Sequence, residues 1–146
     1  MRLTRFTDNA LRCLLYLAAT PSRTATVSEV AERMGMSADQ LLKVIQRLVA
    51  LGYVRTIRGR NGGVTLAKDA AAISVAEVVR ATEPSLALVP CFEPCNTECP
   101  LTGSCLLADA LAESLGAFFG VLEQRTVADL VAAPRTSRVM HVVSGD

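Results

Sequence analysis

The chain has 146 residues, 51% of them hydrophobic, and a formal net charge of +1. That length is enough for one compact domain, or a small domain with a helical extension, around a core that needs no covalent staples. No uncharged apolar run reaches the roughly 18 residues of a membrane span. Arg5, Asp8 and Arg12 interrupt any secretory leader. These features place the protein in the cytoplasm, where grouped cysteines more often bind metal or do redox work than form disulfides.

The near-zero charge hides an asymmetry. Residues 1–68 carry eleven Lys/Arg against four acids, whereas residues 69–146 carry four Arg against ten acids. A basic N-terminal half is the electrostatic footprint of a module that binds a polyanion.

The first predicted element is an amphipathic helix over 3–19, with Leu3, Phe6, Ala10, Leu11, Leu14 and Leu17 near 3.6-residue spacing. Pro21 and Ser22 end it. Cys13 lies on its apolar side and reads as a small buried hydrophobe. Thr26-Val27-Ser28-Glu29 is a capping box that opens a short helix to about Met34, and Gly35 makes the turn. Ser37-Ala38-Asp39-Gln40 is a second capping box, opening a helix to about Ala50 with Leu41, Leu42, Val44, Ile45 and Leu48 inward. Helix, glycine turn, helix is the helix-turn-helix pattern. Residues 51–56 read as a strand and 64–66 as its return. Between them the hairpin tip Arg58-Gly59-Arg60-Asn61-Gly62-Gly63 makes the unit a winged helix.

Ser74 opens a further helix to about Thr82, closed by Pro84. Residues 84–104 read as irregular. A long helix over 105–123 carries Leu107, Leu111, Leu115, Phe118, Phe119 and Leu122 along one side. That stripe is too apolar for a lone surface helix, so it is expected to pack against its mate in a homodimer. A last turn or two follows over 126–131, then a loose tail. The fold class is mainly α. Residues 1–70 form the winged helix-turn-helix domain, with the first helix also contributing dimer contacts. Residues 71–133 hold a cysteine loop and dimerisation helices, and 134–146 a flexible tail.

Four of the five cysteines, Cys91, Cys95, Cys99 and Cys105, fall within fifteen residues. Disulfides, zinc and an iron–sulfur cluster are the candidates. Zinc knuckles favour C-x2-C or C-x4-C pairs, and the spacings here are x3, x3 and x5. Iron–sulfur clusters accept wider, irregular spacing, and the positive end of the long helix suits a thiolate ligand at Cys105.

Several segments together resemble the iron–sulfur winged-helix repressors, and within them the nitric-oxide-sensing NsrR type. They are Leu3-Thr4-Arg5-Phe6-Thr7-Asp8, Leu41-Leu42-Lys43-Val44-Ile45, Gly52-Tyr53-Val54 and Arg58 to Gly63. Val78-Val79-Arg80, Glu83, Cys91-Phe92, Cys99-Pro100, Cys105-Leu106 and Ala128-Asp129-Leu130-Val131 continue the pattern, which covers about 1–133. The resemblance implies a 4Fe–4S cluster held by Cys91, Cys99 and Cys105, with Asp8 of the partner subunit as fourth ligand. Cys95 falls outside that pattern, and Asn9 stands where an aromatic is usual. A sister type uses a histidine three residues after the last cysteine. Here that position is Ala108, and the only histidine is His141. The iron-responsive RirA type shares the cysteine spacing and the wing, and is the alternative reading. A zinc-stabilised regulator is a further one.

For double-stranded DNA with a palindromic operator, the start of the recognition helix supplies Ser37, Asp39, Gln40 and Lys43, with Arg47 one turn on. Gln suits adenine, Lys guanine and Asp cytosine. Arg58, Arg60 and Asn61 on the wing suit a minor groove or phosphates. The resemblance implies a repressor that releases its operator when nitric oxide reacts with the cluster. No P-loop, nucleophile elbow or paired catalytic carboxylates point to an enzyme.

Overall fold

Thr4 decides where the first helix begins. Its hydroxyl accepts from the Thr7 amide at 3.2 Å, so it caps α1 (Arg5–Ala19) and the helix starts two residues later than apolar periodicity suggests. In this computed structural model the described residues are 2–21, 23–60, 62–93 and 99–132. Asn61, Cys95, His141 and the expected tail over 134–146 lie outside them.

The elements follow as α2 (Val27–Met34), α3 (Ala38–Ala50), β1 (Val54–Ile57), β2 (Gly63–Leu66), α4 (Val75–Thr82), α5 (Leu106–Glu123) and α6 (Val127–Ala132). Short 3-10 turns cover Ala70–Ala72 and Pro90–Phe92. The architecture is mainly α with a winged helix-turn-helix, as the sequence predicts.

Helix α1 is the central post. Ala10, Cys13, Leu14, Tyr16 and Leu17 are buried on it and share one core with Val30, Leu41, Val44, Leu48, Val64, Ile73 and Val78. Half of the capping box at Thr26 forms: the Glu29 amide donates to Thr26 Oγ1 at 3.1 Å, while the Glu29 carboxylate turns to Tyr16 and Arg23. The one expected at Ser37 does not: that side chain makes no cap bond. Gly35 closes α2 in the left-handed region, φ 63° and ψ 44°, which a residue without a Cβ enters freely. The Met36 amide then reaches back to the Ala31 carbonyl at 2.8 Å and fixes the turn between the two helices.

Strands β1 and β2 pair antiparallel from Val54↔Leu66 to Ile57↔Gly63. The first strand starts at Val54 rather than Leu51, because Leu51–Tyr53 are used in the turn that leaves α3. Ala25 adds an isolated bridge to Val64 and ties the wing to the start of α2.

A second, smaller apolar cluster joins α4 to α5 through Ala76, Val79 and Phe119, with Leu3, Leu86 and Phe118 packed on it. Arg80 lies 4.1 Å from the Phe119 ring centroid and 2.7 Å from Glu123. The bridge Ser74↔Thr126 ties the start of α6 to the start of α4, and α6 packs on α1. Thr126 and Asp129 cap each other reciprocally, at 2.8 and 3.2 Å. No described helix is long and apolar enough to cross a membrane.

Candidate cysteine centre and DNA-facing surface

The three cysteines reach one place by three local devices. The Pro90–Phe92 turn, closed by Phe92 N–H donating to the Val89 carbonyl at 3.0 Å, carries Cys91. Thr102 donates to the Cys99 carbonyl through both its amide, 3.1 Å, and its hydroxyl, 2.7 Å. That knot folds residues 99–104 back toward Cys105, which is the N-cap of α5 and makes no side-chain cap bond.

As a result Cys91, Cys99 and Cys105 line two adjoining cavities, of about 300 Å³ and 210 Å³. Val89, Pro90, Leu101, Leu107 and Leu111 make the first largely apolar. Thr102, Gly103 and Asp109 border the second. All three thiols are half-buried and free. Among the described residues no three His, Cys, Asp or Glu side chains stand close enough to hold a single metal ion. Three thiols bordering shared cavities are a soft donor set of the kind that holds iron–sulfur groups. The amide end of an 18-residue helix adds favourable electrostatics for an anionic group.

Asp8 is not among the residues bordering these cavities in its own chain. It sits in the first turn of α1 with its carboxylate 58% exposed, 3.6 Å from Arg12. Arg12 in turn donates to the Met34 carbonyl at the end of α2. Sequence reading missed this guanidinium, which touches both an exposed acid and the helix-turn-helix. Cys13 is fully buried, and burial pushes its thiol up to about 12.

On the other face, Ser37, Asp39, Gln40 and Lys43 are exposed along the first turns of α3, and Arg58 and Arg60 are exposed on the wing. Leu42, expected inward, is 44% exposed beside them, because Leu41, Val44, Ile45 and Leu48 already fill the stripe that meets α1. It is a residue missed for this face: an exposed aliphatic there suits a thymine methyl. Arg47 donates from Nε and Nη2 to the Ala81 carbonyl, at 3.3 and 2.9 Å.

A network braces α2 from behind. Tyr16 Oη and Arg23 Nη2 each donate to Glu29 Oε1 at 2.6 Å. The Arg23 contact holds the Glu29 carboxyl below the usual range, while burial and the bond to Glu29 raise Tyr16.

Comparison with known proteins gives this geometry a family. Residues 3–133 match the Rrf2 model, described as iron-dependent transcriptional regulator. The chain is 45% identical to protein aau3 of Rhizobium meliloti over 91% of its own length and 86% of that protein. It is 46% identical to the HTH-type transcriptional regulator NsrR of Geobacillus kaustophilus, over 90% of both chains. Among solved structures IscR of T. potens superposes with a TM-score of 0.73 at 22% identity, covering 90% of this chain and 86% of that one, a likeness of fold. The NsrR relative is by name an HTH-type transcriptional regulator. The chain belongs to the Rrf2 family of transcriptional regulators.

Proposed function

We propose that the chain is a homodimeric repressor that binds a palindromic operator and releases it in response to nitric oxide. In this reading Cys91, Cys99 and Cys105 hold a 4Fe–4S cluster, with Asp8 of the partner subunit as the fourth ligand. Residues 1–70 read DNA, and residues 71–133 carry the cysteine centre and the helix that meets the second copy. One observation carries the proposal: three free cysteines converge on common cavities in a chain whose other end is an exposed, basic helix-turn-helix. The NsrR-named relatives and the Leu3–Asp8 motif support the nitric oxide assignment.

A cluster held by Cys91, Cys99 and Cys105 would supply iron able to react with a small diatomic ligand. The chain's own residues do the rest. The apolar cavity beside the cysteines favours an uncharged ligand over water. An exposed pair such as Asp8–Arg12 is worth at most about 1 kcal/mol, so Asp8 leaves Arg12 for a partner at little cost. Leu106 and Leu107 at the start of α5 and Val121 near its end are 83%, 65% and 63% exposed, apolar surface that a second α5 would cover. In this reading Gln40 and Lys43 are assigned to base edges, and the wing residues Arg58, Arg60 and Asn61 to the backbone or minor groove.

The test is anaerobic absorbance of the purified protein during stepwise nitric oxide addition, with binding to an operator selected from random duplex DNA followed in parallel. The expected result is a broad band near 400 nm, a region typical of iron–sulfur centres (order of magnitude), that bleaches as DNA is released. Cys99→Ala is expected to lose both the band and tight binding. A band that ignores nitric oxide but fades under mild iron chelation would transfer the function to iron sensing. Tight binding by a colourless Cys99→Ala protein would overturn the cluster reading altogether.

A further inference from the structure

Position alone assigns Arg47 to DNA: it is exposed, on the recognition helix, one turn beyond Lys43. The structure gives its guanidinium another task. Nε and Nη2 both donate to the carbonyl of Ala81, 34 residues away in sequence. Ala81 stands one residue before the end of α4, where the last carbonyls have no partner within the helix and the dipole is negative. A cation that forks onto such a carbonyl is held by charge as well as by hydrogen bonds.

The same end of α4 grips a second element. Glu83, its C-cap, accepts from the Thr4 amide at 2.7 Å and the Thr4 hydroxyl at 3.1 Å. Thr4 is the N-cap of α1, four residues before Asp8. Residues 81–83 thus touch the recognition helix through Arg47 and the start of α1 through Thr4. The chain then runs from Glu83 to Cys91 with no regular helix between except the turn at Pro90. Two contacts tie the cysteine segment back to this joint: Ser85 Oγ donates to Glu93 Oε1 at 2.6 Å, and Leu86 packs on the cluster between α4 and α5.

We infer that Arg47 is a positioning residue rather than a DNA contact, and that the Ala81–Glu83 joint transmits the state of the cysteine centre to the recognition helix of the same subunit. The transmission half of this inference rests on the cluster-dependent reading above; the positioning half does not.

The salt dependence of operator binding separates the two roles of Arg47. If it neutralises a phosphate in each subunit, Arg47→Met lowers the slope of log affinity against log salt by about 2. A positioning residue leaves that slope where it was. The second reading is the ratio of operator affinities with and without the cluster. Arg47→Met, which keeps the aliphatic stem but no donor, is expected to shrink that ratio at least about fivefold, a typical coupling magnitude, with the slope unchanged. Glu83→Gln, which alters the grip on α1 and lies off the recognition helix, is expected to shrink the ratio as well. A slope that falls by about 2 returns Arg47 to the DNA and overturns the inference. So does an unaltered ratio in both variants. A wild-type protein whose affinity ignores the cluster defeats the functional reading instead, and the slope still decides whether Arg47 touches DNA.

Discussion

Gly63 is a position at which a single methyl group should cost function. It opens β2, opposite Ile57, and its backbone passes directly against that of Ala25. A Cβ built there meets the Ala25 carbonyl oxygen at less than any normal contact, and the Ala25 carbonyl carbon at 2.9 Å. The obstacle is backbone, so no rotamer change relieves it. The Ala25 segment must move, and it is held by Ala25 N–H donating to the Val64 carbonyl, 3.0 Å, and Val64 N–H donating to the Ala25 carbonyl, 2.8 Å. Losing both bonds costs about 2 kcal/mol, at about 1 each. Ala in a strand recovers about 0.5–1 kcal/mol of backbone entropy, which leaves a net loss of about 1–1.5 kcal/mol. At about 4 °C per kcal/mol for a chain of this size, Gly63→Ala should melt about 4–6 °C below the parent. Because Ala25 anchors the wing to α2, Arg58 and Arg60 should shift with it, and operator affinity should drop by about tenfold, or roughly 1.4 kcal/mol. Thermal melting by circular dichroism and operator titration read the two effects separately. A Gly63→Ala protein that melts with the parent and binds DNA equally well would refute the geometry of the wing anchor.

Three further outcomes follow from other parts of the molecule. Within one chain a Cβ at Gly116 or Gly120 meets nothing within 4 Å, so Ala there should favour the helix by about 0.5–1 kcal/mol each. If α5 meets a second copy at these residues, the double Ala variant instead sediments toward monomer; an undiminished dimer places the contact elsewhere on the helix. Glu29 has its carboxyl held down chiefly by Arg23, so its stabilisation is present above the ordinary carboxylate range and is lost as pH falls through the lowered value. Glu29→Gln should therefore cost about 1 kcal/mol at neutral pH and flatten the acid limb of the stability curve, and parallel acid limbs would refute this. Cys13, buried with its thiol pushed up to about 12, should resist alkylation at pH 8 until the chain unfolds. Rapid labelling of native Cys13 would contradict its place in the core.

What the sequence made legible was the part governed by local rules. Thr26 caps, Gly35 turns, and the Leu41, Val44, Ile45 and Leu48 stripe faces α1, because each depends on neighbours within one or two turns. The same rules overreached at Leu42, whose apolar character says inward although its position on the helix says outward. They overreached at Ser37 too, where the spacing of a capping box is present without its bond. The reciprocal cap of Thr126 and Asp129 was available in the sequence by the same logic and went unread. The cysteines sit between these cases. Spacing narrowed the chemistry, but their convergence depends on Thr102 folding residues 99–104 back on themselves, which no periodicity announces.

The ties that would carry a signal are the least legible of all, and for a physical reason. Thr4–Glu83 spans 79 residues and Arg47–Ala81 spans 34, and the second ends on a backbone carbonyl, which has no residue type to recognise. Helix α5 poses the complementary problem. Its sequence is apolar enough for a core, yet Phe119 is its only buried residue. Leu115, Phe118 and Leu122 pack beside it against α4, whereas Leu106, Leu107 and Val121 stand exposed, which makes sense once a second copy lies against them. Because the helix begins at Cys105, the proposed dimer contact and cysteine centre share one rigid element. A partner's Asp8 reaching the cysteines would then clamp that element from both sides, and withdrawing it would loosen the centre and the dimer together.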